Sequence, residues 1–195
     1  DAAIADLEDI AIGPGTQPGG DYVYLGDIGD NAVRRSEVRV VRFVEPKLSG
    51  ERGQQLKVGD AEVLRLVYPD GPHDAEALLI DPITGDLLIV SKEKQGARLY
   101  GARGKSLTPS AKTTLSAVGT ANVDQISAGS ISPDGSKLIL RRENQGWLWH
   151  REPGESMADA LAKKPVKIDV QGKRQGPNGE SVSFSPSGES YYTVS

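Results

Sequence analysis

One motif recurs four times along this 195-residue chain: a short apolar run, a turn rich in Pro and Gly, and a second apolar run. LEDIAIGPG starts at Leu7, AEALLIDPITGD at Ala75, AGSISPDGS at Ala128 and GESVSFSPSGE at Gly179. The partner runs are DYVYLGD from Asp21, DLLIVSK from Asp86, SKLILRR from Ser136 and ESYYTVS from Glu189. Alternating apolar residues over such lengths read as half-buried strands. Pro133-Asp134-Gly135 and Pro186-Ser187-Gly188 put Pro where φ is preset and Gly where φ can be positive, so each unit opens with a β-hairpin. An isolated hairpin is marginal in water, and repeated hairpins must bury their faces on one another.

Anchored at Glu8, Glu76, Gly129 and Glu180, the repeat has spacings of 68, 53 and 51 residues. A period of roughly 40–50 residues with four strands per unit is that of a propeller blade. The outer strands are EVRVVRFVEP from Glu37 and AEVLRLVYP from Ala61, then ARLYGARG from Ala97 and KTTLSAVGT from Lys112, then GWLWHRE from Gly146 and PVKIDVQGK from Pro165. The expected fold is all-β, a β-propeller of four-stranded antiparallel blades, with about three and a half blades present. Residues 1–195 form a single domain with blades near 7–70, 75–120 and 128–173 and a partial blade at 179–195. Closed propellers have about 4–8 blades, so further blades are expected from flanking sequence or another chain. ESMADALAKK from Glu155, with Ser156 as a cap, predicts a short helix in an outer-strand connection.

Composition narrows the function classes. Lys and Arg number 23 and Asp and Glu 27, giving a net charge of −4. That balance argues against nucleic acid, which requires clustered basic residues. No apolar run approaches the roughly 20 residues of a membrane helix. DAAIADLEDI contains neither a basic n-region nor an apolar h-region, so no signal peptide is read in these residues. The absence of Cys removes disulfides, thiolate metal sites and cysteine nucleophiles. No G-x-S-x-G elbow, phosphate loop or helix-opening G-x-G-x-x-G occurs.

ISPDGSKLIL and FSPSGESYYTV resemble TolB-type and WD-like propeller repeats, in which a Ser-Pro-Asp-Gly turn joins the two inner strands of each blade. LEDIAIGPG, YLGDIGDN and YPDGPHDAEALLIDP resemble a group of bacterial, mostly exported, propeller proteins that generally lack an assigned activity. The resemblance spans nearly the whole chain. It implies a propeller fold and an extracellular or periplasmic location, and it supplies no catalytic residue.

In a blade, the loop entering the inner strand and the loop between the second and third strands open on one face, the default site on a rigid scaffold. Entry loops carry Asp70, His73, Asp74 and Glu76, then Lys173, Arg174, Asn178 and Glu180. The other loops carry Asp27, Asp30, Asn31 and Arg34, then Lys92, Glu93 and Lys94, then Arg141, Arg142, Glu143 and Asn144. Three readings compete. In the first, the chain binds a small molecule, polymer or protein through Asp27, Asp30, Asn31, Arg34, His73, Lys92, Arg141 and Asn144. Lys92, Lys94, Arg141 and Arg142, the basic cluster near the site, suggest an anionic ligand such as a carboxylate or phosphate, or internal pairing with nearby acids.

In the second reading, Glu8, Glu76 and Glu180 ring the mouth and hold Ca²⁺ or Mg²⁺, and His73 or Asp74 handles the proton of a hydrolysis. This resembles gluconolactonase-like and phytase-like propellers. Gly129 at the third equivalent position breaks that ring. In the third reading these residues are structural: the glutamates accept N–H bonds from the adjacent blade, and the GDIGDN acids close their own turns. His150, the only other His, lies on an outer strand, which weighs against a two-His metal site. Trp147 and Trp149 lie on one side of their strand and are read as packing between blades.

Overall fold

A computed structural model describes residues 4–17, 19–47, 49, 50, 53, 55, 58–109, 111–170 and 179–194. The first sheet is built from β1 (Leu7–Pro14), β2 (Asp21–Asp27), β3 (Val38–Val44) and β4 (Glu62–Val67), each antiparallel to the one before. The second contains β5 (Ala75–Ile80), β6 (Leu87–Ser91) and β7 (Ala97–Ala102). Before its fourth strand comes a short parallel addition to the first sheet, β8 (Lys112–Thr114), and then β9 (Ser116–Ala121) closes the second sheet against β7. The third sheet is β10 (Ala128–Ile131), β11 (Lys137–Arg142), β12 (Gln145–His150) and β13 (Val166–Ile168), and the last is the hairpin of β14 (Ser181–Phe184) and β15 (Tyr191–Val194). The inner strands β1, β5, β10 and β14 lie side by side in that order. The chain is thus an all-β propeller arc of about three and a half blades.

The expected fourth strand from Lys112 is two strands, and the reason lies at Leu115. Its side chain is buried in the core shared by the first two sheets, and its N–H donates to Val67 O at 2.8 Å. That anchor turns the chain from the edge of one sheet to the edge of the next, and the first sheet gains a fifth strand.

Three apolar cores separate the four sheets. Tyr24, Val40, Leu64 and Leu66 meet Leu78, Ile80, Ile89 and Tyr100 in the first. Leu79, Leu88, Val90 and Leu99 meet Leu138, Leu140, Trp147 and Trp149 in the second, so both tryptophans pack between blades. Ala128 and Ile139 meet Val182 in the third. A fully buried Leu or Ile contributes roughly 1.5–3 kcal/mol, so these interfaces hold the arc together. The predicted helix is α1 (Met157–Ala162): Ser156 Oγ accepts from Asp159 N at 3.0 Å, and Met157, Ala160 and Leu161 pack beside β9 and β12. It thereby shields a sheet edge that would otherwise invite pairing. No helix among the described residues is long and apolar enough to cross a membrane.

The turns correct one equivalence. Asp81 N donates to Asp86 O, Ser132 N to Lys137 O and Ser185 N to Ser190 O, at 2.8, 2.9 and 2.8 Å, so Asp81, Ser132 and Ser185 are matching positions. Counting back from them, Glu76 and Glu180 match Ser127, not Gly129.

Candidate functional site

The mouth is shaped by two β-bulges. Register shifts fall between Leu7 and Asp9 on β1 and between Ala75 and Ala77 on β5, so Glu8 and Glu76 are the extra residues of the same bulge in successive blades. A bulge re-aims its side chain out of the strand's alternation. After β2 the backbone folds back over β1. A Cβ placed on Gly29 would lie 2.5 Å from both Asp6 Oδ2 and Glu8 Oε1, so only glycine lets this loop sit against the two carboxyls without displacing them.

Crowding sets the electrostatics. Burial, reinforced by the charges of Glu76, Asp6 and Asp74, pushes Glu8 up to about 8, and its carboxyl shares a hydrogen bond with Asp6. Burial also raises Glu76, while Lys92 pulls against it through a 2.5 Å contact from Nζ to Oε1. Burial works against the Lys92 charge, but Glu76, Asp74 and Glu8 outweigh it and hold Lys92 above its ordinary value. Glu180 is exposed and adds its field at Glu76. Glu76 thus feels the charges of Asp74 and Glu180 together. Among the described residues, no group of three or more His, Asp or Glu side chains is arranged to hold a metal ion.

Several other candidates are built into the scaffold. Asp27 is buried; its Oδ1 accepts from Ala5 N at 3.2 Å and Asp6 N at 2.8 Å and pairs with Arg35 at 3.0 Å. Asp30 Oδ2 accepts from Arg34 N and Arg35 N, both at 2.6 Å, and Asp30 N donates to Asp74 Oδ1 at 2.8 Å. GDIGDN is thus a turn closed by its own acid. Arg141 is fully buried and donates to Ser181 O at 3.0 Å and Glu143 O at 2.9 Å. Arg142 pairs with Asp124 at 2.5 Å and lies 5.6 Å from the Trp147 ring centre. Asn31, Arg34, Lys92 and Asn144 are the candidate ligand contacts that lie at the surface. Lys173, Arg174 and Asn178 fall outside the described residues.

His73 is held among Asp70, Tyr100 and Glu93. Its Nε2 lies 3.0 Å from Asp70 Oδ1 and 2.7 Å from Tyr100 Oη, and its Nδ1 lies 3.3 Å from Glu93 Oε1. Tyr68 and Tyr100 stack around the ring, with centroids 5.2 and 4.9 Å away. The neighbouring Asp74 is held by Asp30 N and sends its backbone oxygen to Lys92 N at 2.9 Å. These two residues lock the entry loop onto the second sheet.

Sequence reasoning missed Asp9. Its Oδ2 accepts from Leu78 N at 2.8 Å and Gly129 N at 3.3 Å, and its Oδ1 from Ile10 N at 2.9 Å. The inter-blade role considered for the glutamates belongs to this residue, one position on. The available signal was an acid where the matching position of the next blade holds Ala77.

No family model matches the chain, and no curated protein matches its sequence. Among solved structures it is similar to the Dos1 propeller, at 14% identity and a TM-score of 0.50 over 94% of this chain and 40% of that one. It is also similar to Chaetomium thermophilum Polycomb Repressive Complex 2 bound to GSK126, at 16% identity and a TM-score of 0.49 over 99% of this chain and 38% of that one. A humanized mutant of that complex gives 16% identity and a TM-score of 0.48, over 99% and 37%. The chain spans about 40% of the length of the Dos1 propeller chain, and that likeness bears on the fold alone.

Proposed function

We propose that this chain is a binding module that presents a polar ligand site at the mouth of its propeller face. The supporting observation is the pair of matching bulges that turns Glu8 and Glu76 toward Asp6 and Asp74 inside a ring of exposed loop residues. A rigid sheet scaffold carrying side chains out of strand alternation recognises ligands without any reacting group. The test is a binding screen of charged and neutral peptides and glycans against the wild type and an Asn31→Ala, Arg34→Ala, Asn144→Ala triple variant. A ligand held by the wild type and weakened by the triple variant supports the site. Equal binding by both overturns it.

The seam between the first and last sheets belongs to the same reading. Leu7 and Ile10 on β1 and Tyr192 and Val194 on β15 are exposed, and they border a cavity of about 320 Å³. Isolated apolar residues at a surface are ordinary, but a contiguous stripe marks an interface. A further four-stranded sheet of the same kind would cover this apolar stripe. Expressing the chain with longer coding sequence should abolish binding of an apolar dye at this seam; undiminished dye binding would overturn the assignment. Export to the periplasm or cell exterior rests on the repeat resemblance and is read by fractionating cells that express the full gene.

A further inference from the structure

We propose that the end of the channel opposite the mouth is a second docking site, for an extended peptide segment that carries an aromatic side chain beside a lysine or arginine. The site is a cavity of about 560 Å³ where the inner strands run into their hairpin turns. That volume lies within the roughly 300–1,000 Å³ of ligand pockets. Pro14, Pro82, Pro133 and Pro186 collar it, one from each hairpin. Proline has little conformational freedom to lose, so the collar is set before a ligand arrives. Ile10 and Ile12, alternate residues on one face of β1, are 60% and 45% exposed and form an apolar wall, and Phe184 of β14 also lines the cavity. An aromatic side chain gains most from such a lining.

Charge selects what accompanies the ring. Asp21 and Glu45 are the charged residues on the cavity wall; both are exposed, and neither has an ion-pair partner among the described residues. Glu45 N donates to Asp21 O at 2.9 Å, which continues the register of Tyr22 with Val44 and sets the two acids opposite each other. Like charges directly opposite on neighbouring strands repel. A cation seated between them relieves that repulsion, and a basic side chain next to the inserted ring supplies it. No Lys, Arg or His lines the cavity, so an anionic occupant finds no counter-charge there.

The backbone points to a peptide. Each inner strand is the edge of its sheet. Along these edges Asp9 Oδ2 accepts from Leu78 N and Gly129 N, and Ser130 Oγ accepts from Phe184 N at 3.1 Å. Ladder alternation turns the N–H of Ile131, two residues past Gly129, to the same side. Ile12 N likewise shares the side of Ile10 N, which donates to Asp9 Oδ1. Neither N–H meets an acceptor among the described residues, and Ile12 and Ile131 both line the cavity. Open N–H groups on a strand edge are what an extended main chain pairs with.

This site and the mouth occupy opposite ends of the inner strands. Glu8 and Glu76 stand where β1 and β5 begin, whereas Pro14 and Pro82 stand where the same strands turn back. The two sites therefore stand or fall separately. Ile10, Val182 and Ser183 line both this cavity and the one at the seam, so a longer chain belongs in the test.

The experiment follows backbone amides by NMR as a capped tetrapeptide with phenylalanine beside arginine, flanked by glycines, is added to this chain. The amides of Gly13, Ile131 and Ser183 should shift, and a matched peptide with glutamate in place of arginine should bind more weakly. Asp21→Asn with Glu45→Gln should weaken the arginine peptide about fivefold or more. Ile10→Ser with Ile12→Ser should weaken it about tenfold or more. All four side chains are exposed, so the fold should survive, and circular dichroism checks that it does. Absence of binding, or binding untouched by both double variants, overturns the site. Equal binding of the glutamate peptide overturns the role of the two acids. Phenethylamine bound more tightly than the peptide gives the cavity to small aromatic amines and overturns the peptide. Binding weakened by the Asn31→Ala, Arg34→Ala, Asn144→Ala variant places the peptide at the mouth and overturns this site while supporting the other. Binding lost when the chain is expressed with longer coding sequence means that further sheet fills the cavity, and overturns the docking site as well.

Discussion

Asp9 reaches out of its own blade to hold Leu78, with Oδ2 2.8 Å from the Leu78 nitrogen, and the same oxygen reaches Gly129 in the blade beyond. Leu78 and Gly129 are matching positions, four residues before Pro82 and Pro133. One carboxylate therefore satisfies the channel-facing edges of two successive inner strands. Asp9→Ala leaves two buried N–H groups unpaired and should cost roughly 2–4 kcal/mol in denaturant unfolding. Asp9→Asn retains an acceptor and should cost less. Equal losses in the two variants would mean that packing, not hydrogen bonding, explains the residue.

The mouth makes the protein more stable in mild acid. Glu8 rises from its ordinary 4.5 to about 8 because burial and neighbouring acids penalise its charge, and Asp9 rises from 3.8 to about 7 because burial outweighs its N–H donors. Each folded carboxyl holds its proton more tightly than the unfolded one. Their contribution is complete below the unfolded values and is lost as pH climbs through 7 and 8. Glu37 and Asp134 act oppositely. Hydrogen bonds from Arg65 and Lys112, and from Ser132 and Ser136, lower them to about 2, so their contribution is lost only in strong acid. The melting temperature should fall from about pH 5 to about pH 9, and Glu8→Gln with Asp9→Asn should flatten that fall. A profile unchanged by the two substitutions would remove both groups from the account.

The hairpins were legible because their turns are local: Pro and Gly in Pro133-Asp134-Gly135 constrain a few backbone angles whatever surrounds them. The propeller followed from repeating that local signal. The division of the Lys112 run was not legible, because it depends on Leu115 finding a pocket between two sheets. The third anchor slipped to Gly129 because apolar alternation tolerates a shift of two residues, whereas turn hydrogen bonds do not. At the site, charge types were legible and partners were not. Asp27 and Arg141 read as surface polar residues until the fold buries them against backbone groups distant in sequence.

His73 should behave as a clamp. It joins the loop after β4 to β7 through Tyr100 and to the β6–β7 loop through Glu93. Replacing it with Ala removes two aromatic contacts and leaves the Tyr100 hydroxyl with one fewer partner, so unfolding should become easier by roughly 2–3 kcal/mol. His73→Asn restores one polar contact without the ring and should recover part of that loss. A variant as stable as the wild type, yet deficient in ligand binding, would return His73 to the site.

Gly29→Ala tests whether the mouth depends on a pressed pair of carboxyls. The new methyl would fall 2.5 Å from both Asp6 Oδ2 and Glu8 Oε1. Both are ends of side chains, so the pair yields by rotating away rather than by moving a strand. Separating the pair and freeing Glu8 toward water reduces both the burial and the like-charge crowding that raise it. The Glu8 carboxyl should then titrate well below 8 when followed by carbon NMR, with a melting temperature close to that of the wild type in mild acid. A Glu8 titration that stays where it was would mean that Gly29 does not press on the pair, and the geometry assigned to the mouth would fail with it.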